Sequence, residues 1–275
     1  MVKNKYSASE TRYGRWLKEG RGSGRGVDYQ PWLTVRDVPS EGRSHRVFGH
    51  KTQRIHHLFS DLELAIFFTL EWNPQITDIR EQFPLERSET RQIANENGIR
   101  HPADSGVDLY MSSDFLVNSL NTKLPKFAIQ GKYAEALQDP RVVEKLEIER
   151  RYWVLKKIPW FLVTEKDISP VMVRNIGWLY PSQRDELTDE LLLERTAYYS
   201  AQFELSPNRT VVDLCKHLDV SYRLPEGQSL YEIRQLLSQR CFHFDMTTEF
   251  HRLLVKDLQL ENMNHLIGAR HVSNQ

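Results

Sequence analysis

The sequence predicts an α/β core followed by a smaller, mainly helical second half, with the boundary near residue 170. Three observations carry this reading. Short apolar runs of strand type alternate with helical periodicity in the first half. Beyond Pro181 the apolar spacing turns helical, at about 184–203, 209–219 and 229–239. A last strand-like run follows at 241–244, and three helices with a short β ribbon suggest a winged-helix-like fold for 171–275.

Taken in order, residues 8–18 read as a short helix with Arg and Lys on its polar side. Gly20-Arg21-Gly22-Ser23-Gly24-Arg25-Gly26 breaks it; no Gly-Lys-Ser/Thr follows, so this is a flexible basic loop rather than a phosphate-binding Walker loop. Residues 54–58 suit a strand. Ser60 then opens a helix whose period runs through Leu62, Ala65, Ile66 and Thr69 to Trp72, where Asn73-Pro74 stops it. Ile76, Ile79 and Phe83 fit a strand ended by Pro84, and 91–97 a helix closed by Gly98. The runs 115–117 and 127–129 are short strands. A long charged helix follows Lys132, with Val142, Val143, Leu146, Ile148 and Tyr152 as its apolar members; Pro140 marks a kink or the true start. Residues 160–163 read as a buried strand.

Composition limits the function classes. A hydrophobic fraction of 40% supports a core, and no apolar run nears the ~20 residues of a membrane span. The N-terminus lacks a secretory layout, and two cysteines make no disulfide framework, so a reducing cytoplasm is expected. The 37 basic and 37 acidic residues cancel, yet residues 1–60 hold 12 Lys/Arg against 5 Asp/Glu. Such a local positive field suits phosphate binding through the backbone of a nucleic acid; a solvated basic arm is the alternative.

The candidate chemistry lies in Glu63, Asp114 and Gln130-Gly131-Lys132. A carboxylate on a helix, another at a strand start and a polar-x-Lys on the next strand can gather oxygen ligands around a phosphodiester. Strand alternation puts Gln130 and Lys132 on one face, with the Gly131 carbonyl between them. Magnesium takes such hard oxygen ligands and activates water, and a lysine stabilises developing charge. Each residue also has a plainer role. Ser60-Asp61-Leu62-Glu63 is a capping box, Asp114 suits a turn, and Lys132 can simply end a strand. Spacing alone leaves both readings open.

Several strings, in fixed order, resemble the TnsA family, endonuclease subunits of heteromeric cut-and-paste transposons within the restriction-endonuclease-like superfamily. They include Leu17-Lys18-Glu19-Gly20-Arg21-Gly22, Pro31-Trp32-Leu33-Thr34-Val35, Gly42-Arg43-Ser44-His45-Arg46, His56-His57-Leu58, Ser60-Asp61-Leu62-Glu63, Asp78-Ile79-Arg80-Glu81-Gln82-Phe83-Pro84-Leu85, Ser113-Asp114-Phe115-Leu116-Val117, Phe127-Ala128-Ile129-Gln130 and Glu149-Arg150-Arg151-Tyr152-Trp153. The resemblance implies a restriction-endonuclease-like catalytic domain over 1–170 and a winged-helix-like, partner-binding domain over 171–275. It implies that Glu63, Asp114 and Gln130, with the Gly131 carbonyl, hold Mg2+ (Mn2+ substituting) and that Lys132 is the catalytic lysine. The implied partners are double-stranded DNA at transposon ends, a DDE transposase (TnsB-like) and an ATP-dependent regulator (TnsC-like), with no membrane. The implied activity is cleavage of the 5′ strands at the transposon ends. One departure is Gly131, with Tyr133 after the lysine, where a β-branched residue and a proline are expected; glycine loosens a ligand-bearing strand. A catalytically impaired adaptor and a general restriction or repair nuclease are the alternatives.

Other residues carry weaker signals. His56 and His57 alternate on a strand, and suit phosphate contact or an ordinary surface. Cys215-x-His217 and Cys241-x-His243 hold four zinc-type ligands at a spacing that is no finger pattern. Glu147 and Glu149 read as a solvated face of the long helix, with support of the metal or of Lys132 by one of them as the alternative, and Trp153, Trp160 and Trp178 as core.

Overall fold

The computed structural model describes residues 8–37 and 43–262. Lys3 and Lys5 of the basic arm and Gly42 of one matching string lie outside these residues. The chain forms two compact units, Met1–Ile168 and Ser169–Gln275.

The first unit runs α1 (Glu10–Lys18), β1 (His45–Gly49), β2 (Arg54–Leu58), α2 (Asp61–Trp72), β3 (Ile76–Pro84), α3 (Arg87–Glu96), β4 (Ala103–Asp104), β5 (Val107–Asp108), β6 (Ser112–Ser119), β7 (Lys126–Gly131), α4 (Pro140–Leu155) and β8 (Trp160–Val163). Its central sheet has the order β3, β6, β7, β8. The first three are antiparallel; β8 is parallel to β7, a pairing that needs a crossover, which α4 supplies. Leu85, Ile93, Leu116, Ala128, Ile148 and Trp153 form one core cluster joining this sheet to α3 and α4. The helix α2 packs on β3 and β7.

Several elements differ from the sequence reading for identifiable reasons. Both β6 and β7 outrun their apolar centres because ladder pairing continues through polar residues such as Ser112 and Ser113. The helix α3 starts at Arg87, ahead of any apolar signal. Pro140 is the true start of α4, at its first position, and Asp139 caps the helix by accepting from the Arg141 N–H at 2.8 Å. The strand β8 is an edge strand, not a buried one; Phe161 is 44% exposed. The partner of β2 is β1, whose polar sequence gave no signal.

The glycine-rich segment is a fixed turn, not a flexible loop. The Gly22 N–H donates to the Gln30 carbonyl at 2.6 Å, and the Gln30 N–H to the Ser23 carbonyl at 3.1 Å. Gly22 has φ +79°, and a Cβ there would lie 2.2 Å from Pro84 Cγ, so the backbone must be bare. The positive field is also partly compensated within the fold: Arg12 and Arg21 pair with Asp37, Arg15 with Glu19, and Arg54 with Glu81. Arg25, Arg36, Arg43 and Arg46 remain exposed.

One buried ionic cluster fixes the β1–β2 hairpin to β3. Arg54 grips Glu81 with two hydrogen bonds, at 2.8 and 2.6 Å, and donates to the carbonyls of Ile79 and Gly26. His56 Nδ1 lies 2.8 Å from the same carboxylate, and Thr52 Oγ1 pairs with His56 Nε2 at 2.6 Å. His56 is therefore a buried structural residue, not a phosphate contact. Burial pushes the Glu81 carboxyl up, but His56 and Arg54 hold it well below the usual range.

The second unit comprises α5 (Pro170–Leu179), α6 (Asp189–Leu205), α7 (Val211–Ser221), α8 (Gln228–Ser238), β9 (Phe242–His243) and β10 (Gln259–Leu260), the two strands pairing antiparallel. Ser169, Thr188 and Thr210 cap the first three helices, and Asp219 receives the Gly227 and Ser229 N–H groups at the start of α8. The helix α5 was missed from sequence; its apolar Ile176 and Leu179 are both fully buried. Trp178 stacks on Phe250 with centroids 4.2 Å apart.

Arg54→Ala leaves the Glu81 charge buried without its bidentate partner. We expect it to destabilise the first unit by about 3–5 kcal/mol, read by denaturant unfolding at neutral pH.

Candidate active site

The N-terminus of α2, the end of β3, the start of β6 and the end of β7 converge on one buried polar cluster. Glu63 sits at the third position of α2 and completes the predicted capping box. Its N–H donates to Ser60 Oγ at 3.0 Å, while Ser60 Oγ and the Phe59 N–H donate to its carboxylate at 3.3 and 3.0 Å. The capping contacts therefore orient the carboxylate. Asp114, on β6, accepts the Gly131 N–H at 2.8 Å, and its own N–H donates to Gln130 Oε1 at 3.2 Å. The Lys132 N–H extends the β7–β8 ladder by donating to the Val163 carbonyl at 3.0 Å.

Strand alternation sorts the β7 residues. Gln130 and Lys132 line a cleft of about 350 Å³, shared with Ser112, Lys145, Leu146 and Glu149. Gly131 turns instead toward α2: a Cβ there would lie 2.9 Å from Ile66 Cδ1 and 3.6 Å from Leu62 Cδ2. The glycine is matched to a close approach of the helix, and its N–H fixes Asp114. It does not leave the strand loose.

Of two further residues of this cluster, the sequence reading favoured the wrong role for one and missed the other. Glu149 is buried, not part of a solvated face. Ser113 Oγ donates to it at 2.5 Å and Trp160 Nε1 at 2.9 Å, and Trp153 Nε1 donates to Ser113 at 2.8 Å. Glu147, two residues earlier, is the surface acid, paired with Arg150 and Arg151. Only the Glu-x-Glu pair within a helix of apolar period hinted that one acid points inward. The other is Gln82, whose Nε2 donates to Glu63 at 3.2 Å and whose Oε1 accepts from Ser112 Oγ at 3.3 Å. A polar run inside a predicted strand was its only signal.

The electrostatics follow from burial. Desolvation, then the Asp114 charge, pushes the Glu63 carboxyl up to about 8, against the opposing pull of Lys132. Burial likewise raises Asp114, opposed by Lys132 and by the Gly131 N–H. Glu149 is pushed up to about 8, again chiefly by burial. Glu63, Asp114 and Glu149 all feel the Lys132 charge, and that one charge cannot balance three carboxylates when they ionise. A divalent cation fits this donor set: two carboxylates, the Gln130 amide oxygen and a backbone carbonyl are the hard oxygens magnesium prefers, with water completing the shell. Among the described residues no group of three or more His, Cys, Asp or Glu side chains is placed to hold an ion, so the neutral oxygens are needed here. The same finding leaves the cysteine–histidine pairs without a zinc cluster; both cysteines are buried and His243 pairs with Glu261.

Comparison with known proteins decides the family. The profile described as TnsA-like endonuclease N terminal matches residues 73–165, and that of TnsA endonuclease C terminal matches 167–246. A protein of Escherichia coli, the transposon Tn7 transposition protein TnsA, is 47% identical over 274 residues, covering all of both chains. The chain belongs to the TnsA family. It is thus a nuclease of transposition, and the family's two profiles fall one on each side of the division between the compact units. Among the described residues, no helix is long and apolar enough to cross a membrane.

The raised carboxyls set a pH dependence. Unfolded, Glu63 and Glu149 titrate near 4.5, and folded, near 8. Above about 7.5, where unfolded histidine is mostly neutral, the folded state still binds protons that the unfolded state has released, so stability falls as pH rises through about 8. We expect the thermal midpoint in EDTA to decline over that window. Glu149→Gln should flatten the decline, which differential scanning fluorimetry against pH measures.

Proposed function

We propose that this protein hydrolyses the 5′ strands at transposon ends, with Glu63, Asp114, Gln130 and the Gly131 carbonyl holding Mg2+, for which Mn2+ substitutes. The observation that carries this reading is the buried Glu63–Asp114 pair within the field of Lys132. Two desolvated acids at such a place raise one another's proton affinity, and a bound cation reverses that cost. When bound, the metal supplies an activated water and charge neutralisation at the phosphate.

The chain's own residues do the rest. Capping contacts and the Gly131 N–H fix both carboxylates before substrate arrives. Lys132 brings a positive charge to the cleft that Gln130 lines, where it stabilises charge developing on the phosphate oxygens. Glu149, held by Ser113 and Trp160, stands beside Lys132 in that cleft and orients it or the attacking water. Exposed Arg25, Arg36, Arg43 and Arg46 suit sequence-independent contact with the DNA backbone.

We assign residues 1–170 to a restriction-endonuclease-like domain and 171–275 to a winged-helix-like domain that binds partners. Helices capped in series and followed by a two-stranded ribbon support the second assignment. The partners in this reading are duplex DNA at the transposon ends, a DDE transposase and an ATP-dependent regulator. An adaptor without cleavage has little support, because Gly131 is accommodated by Ile66 and still orients Asp114.

The test combines transposon-end DNA, Mg2+ and the partner proteins with wild type, Asp114→Ala and Lys132→Ala. Wild type should nick the 5′ strand, and each variant should lose roughly 10²–10³-fold in rate while 3′-end processing by the transposase continues. Loss of 5′ cleavage in wild type as well supports the adaptor instead. Efficient cutting of unrelated DNA by the isolated protein supports a general nuclease.

A further inference from the structure

Gln82 adopts a conformation its residue type disfavours. Its φ is +47°, a left-handed value that a residue other than glycine takes at a cost. The other described non-glycine residues with positive φ lie in turns or just beyond helix ends: Gln53, Ser105, Lys157, Arg223 and Arg240. Gln82 alone lies inside a strand, β3. The pairing of β3 with β6 passes from Glu81–Phe115 to Phe83–Ser113 and omits the step between them, the one that would join Gln82 to Asp114. The distortion is held from both sides: the Trp32 N–H donates to the Gln82 carbonyl at 3.2 Å, and the neighbouring Glu81 is locked by Arg54 and His56.

The side chain this backbone delivers is buried, at 5% exposure, among the candidate metal ligands. Its Nε2 donates to Glu63 Oε2 at 3.2 Å, and the same amide lies close enough to Asp114 to favour its ionised form. A primary amide carries two N–H groups, so the one bound to Glu63 leaves a second for Asp114. Ser112 Oγ holds its oxygen at 3.3 Å, and the reverse orientation would set a carbonyl against two carboxylates. The fork has one satisfactory orientation.

We propose that Gln82 is a positioning residue of the nuclease site, whose strained backbone is kept because it aims one amide at both metal-binding carboxylates. This rests on the metal-site reading of Glu63 and Asp114. Without the fork each carboxylate can rotate, and the cation meets ligands that are no longer preset.

Glycine adopts φ +47° without strain, so Gln82→Gly keeps the backbone and removes the side chain with its amide. Mn2+ binding is measured by electron paramagnetic resonance on wild type, Gln82→Gly, Gln82→Asn and Asp114→Ala, with thermal unfolding in EDTA in parallel. Gln82→Gly is expected to retain cooperative unfolding and to bind Mn2+ roughly 10–100-fold more weakly. Gln82→Asn tolerates the same φ but carries its amide one methylene short, and is expected to be weakened too; it decides the matter if the glycine variant does not fold. Wild-type affinity in a folded Gln82→Gly protein overturns the role of Gln82 while leaving the metal site intact, provided Asp114→Ala loses the ion. Wild-type affinity in Asp114→Ala overturns the metal-site reading and this inference with it.

Discussion

Two carboxylates withdrawn from water on neighbouring elements repel, and each resists ionisation the more deeply it is buried. Glu63 and Asp114 stand in that relation, and the surrounding architecture is arranged to hold them there. The helix α2 begins where its capping box turns Glu63 inward. The end of β7 presents a bare N–H to Asp114, and Lys132 follows it on the cleft side. Neither carboxylate would be tolerated at so little exposure without these donors and a cation to follow.

The scaffold supplies rigidity through a second ionic cluster that has the opposite character. Around Glu81 the charges are balanced: a bidentate arginine and a histidine meet one carboxylate, whose acidity is strengthened rather than weakened. Glu81 and Gln82 are consecutive, so the balanced cluster anchors the strand at the point where it distorts to reach the unbalanced one. The fold thus keeps its stabilising and its functional charges in adjacent places, and uses the first to fix the second.

The central elements were legible in the sequence because apolar period, caps and prolines coincide there: Ser60 with Glu63, Asn73-Pro74, and Pro84 each mark real boundaries. Glu63, Asp114, Gln130 and Lys132 were named from residue type and from family strings, and the fold brings them to one cluster. What stayed hidden depended on neighbours distant in sequence. Glu149 reads as a surface acid until Ser113 and Trp160 close over it. The glycine-rich turn reads as flexible until Pro84 is seen against Gly22. Gly131 reads as a defect until Ile66 occupies the space a side chain would need. No local pattern reports a left-handed glutamine in a strand, because the position shows itself only where the β3–β6 ladder skips the step between Gln82 and Asp114.

The central claim is that the buried pair is a cation site. Diffraction from crystals soaked in Mn2+, above the pH at which both carboxyls ionise, with data at the manganese edge, tests it directly. The account predicts an anomalous peak in bonding contact with Glu63 and Asp114 and with an oxygen of Gln130 or Gly131. A peak bound by other residues, or none within the cluster at saturating Mn2+, would contradict it.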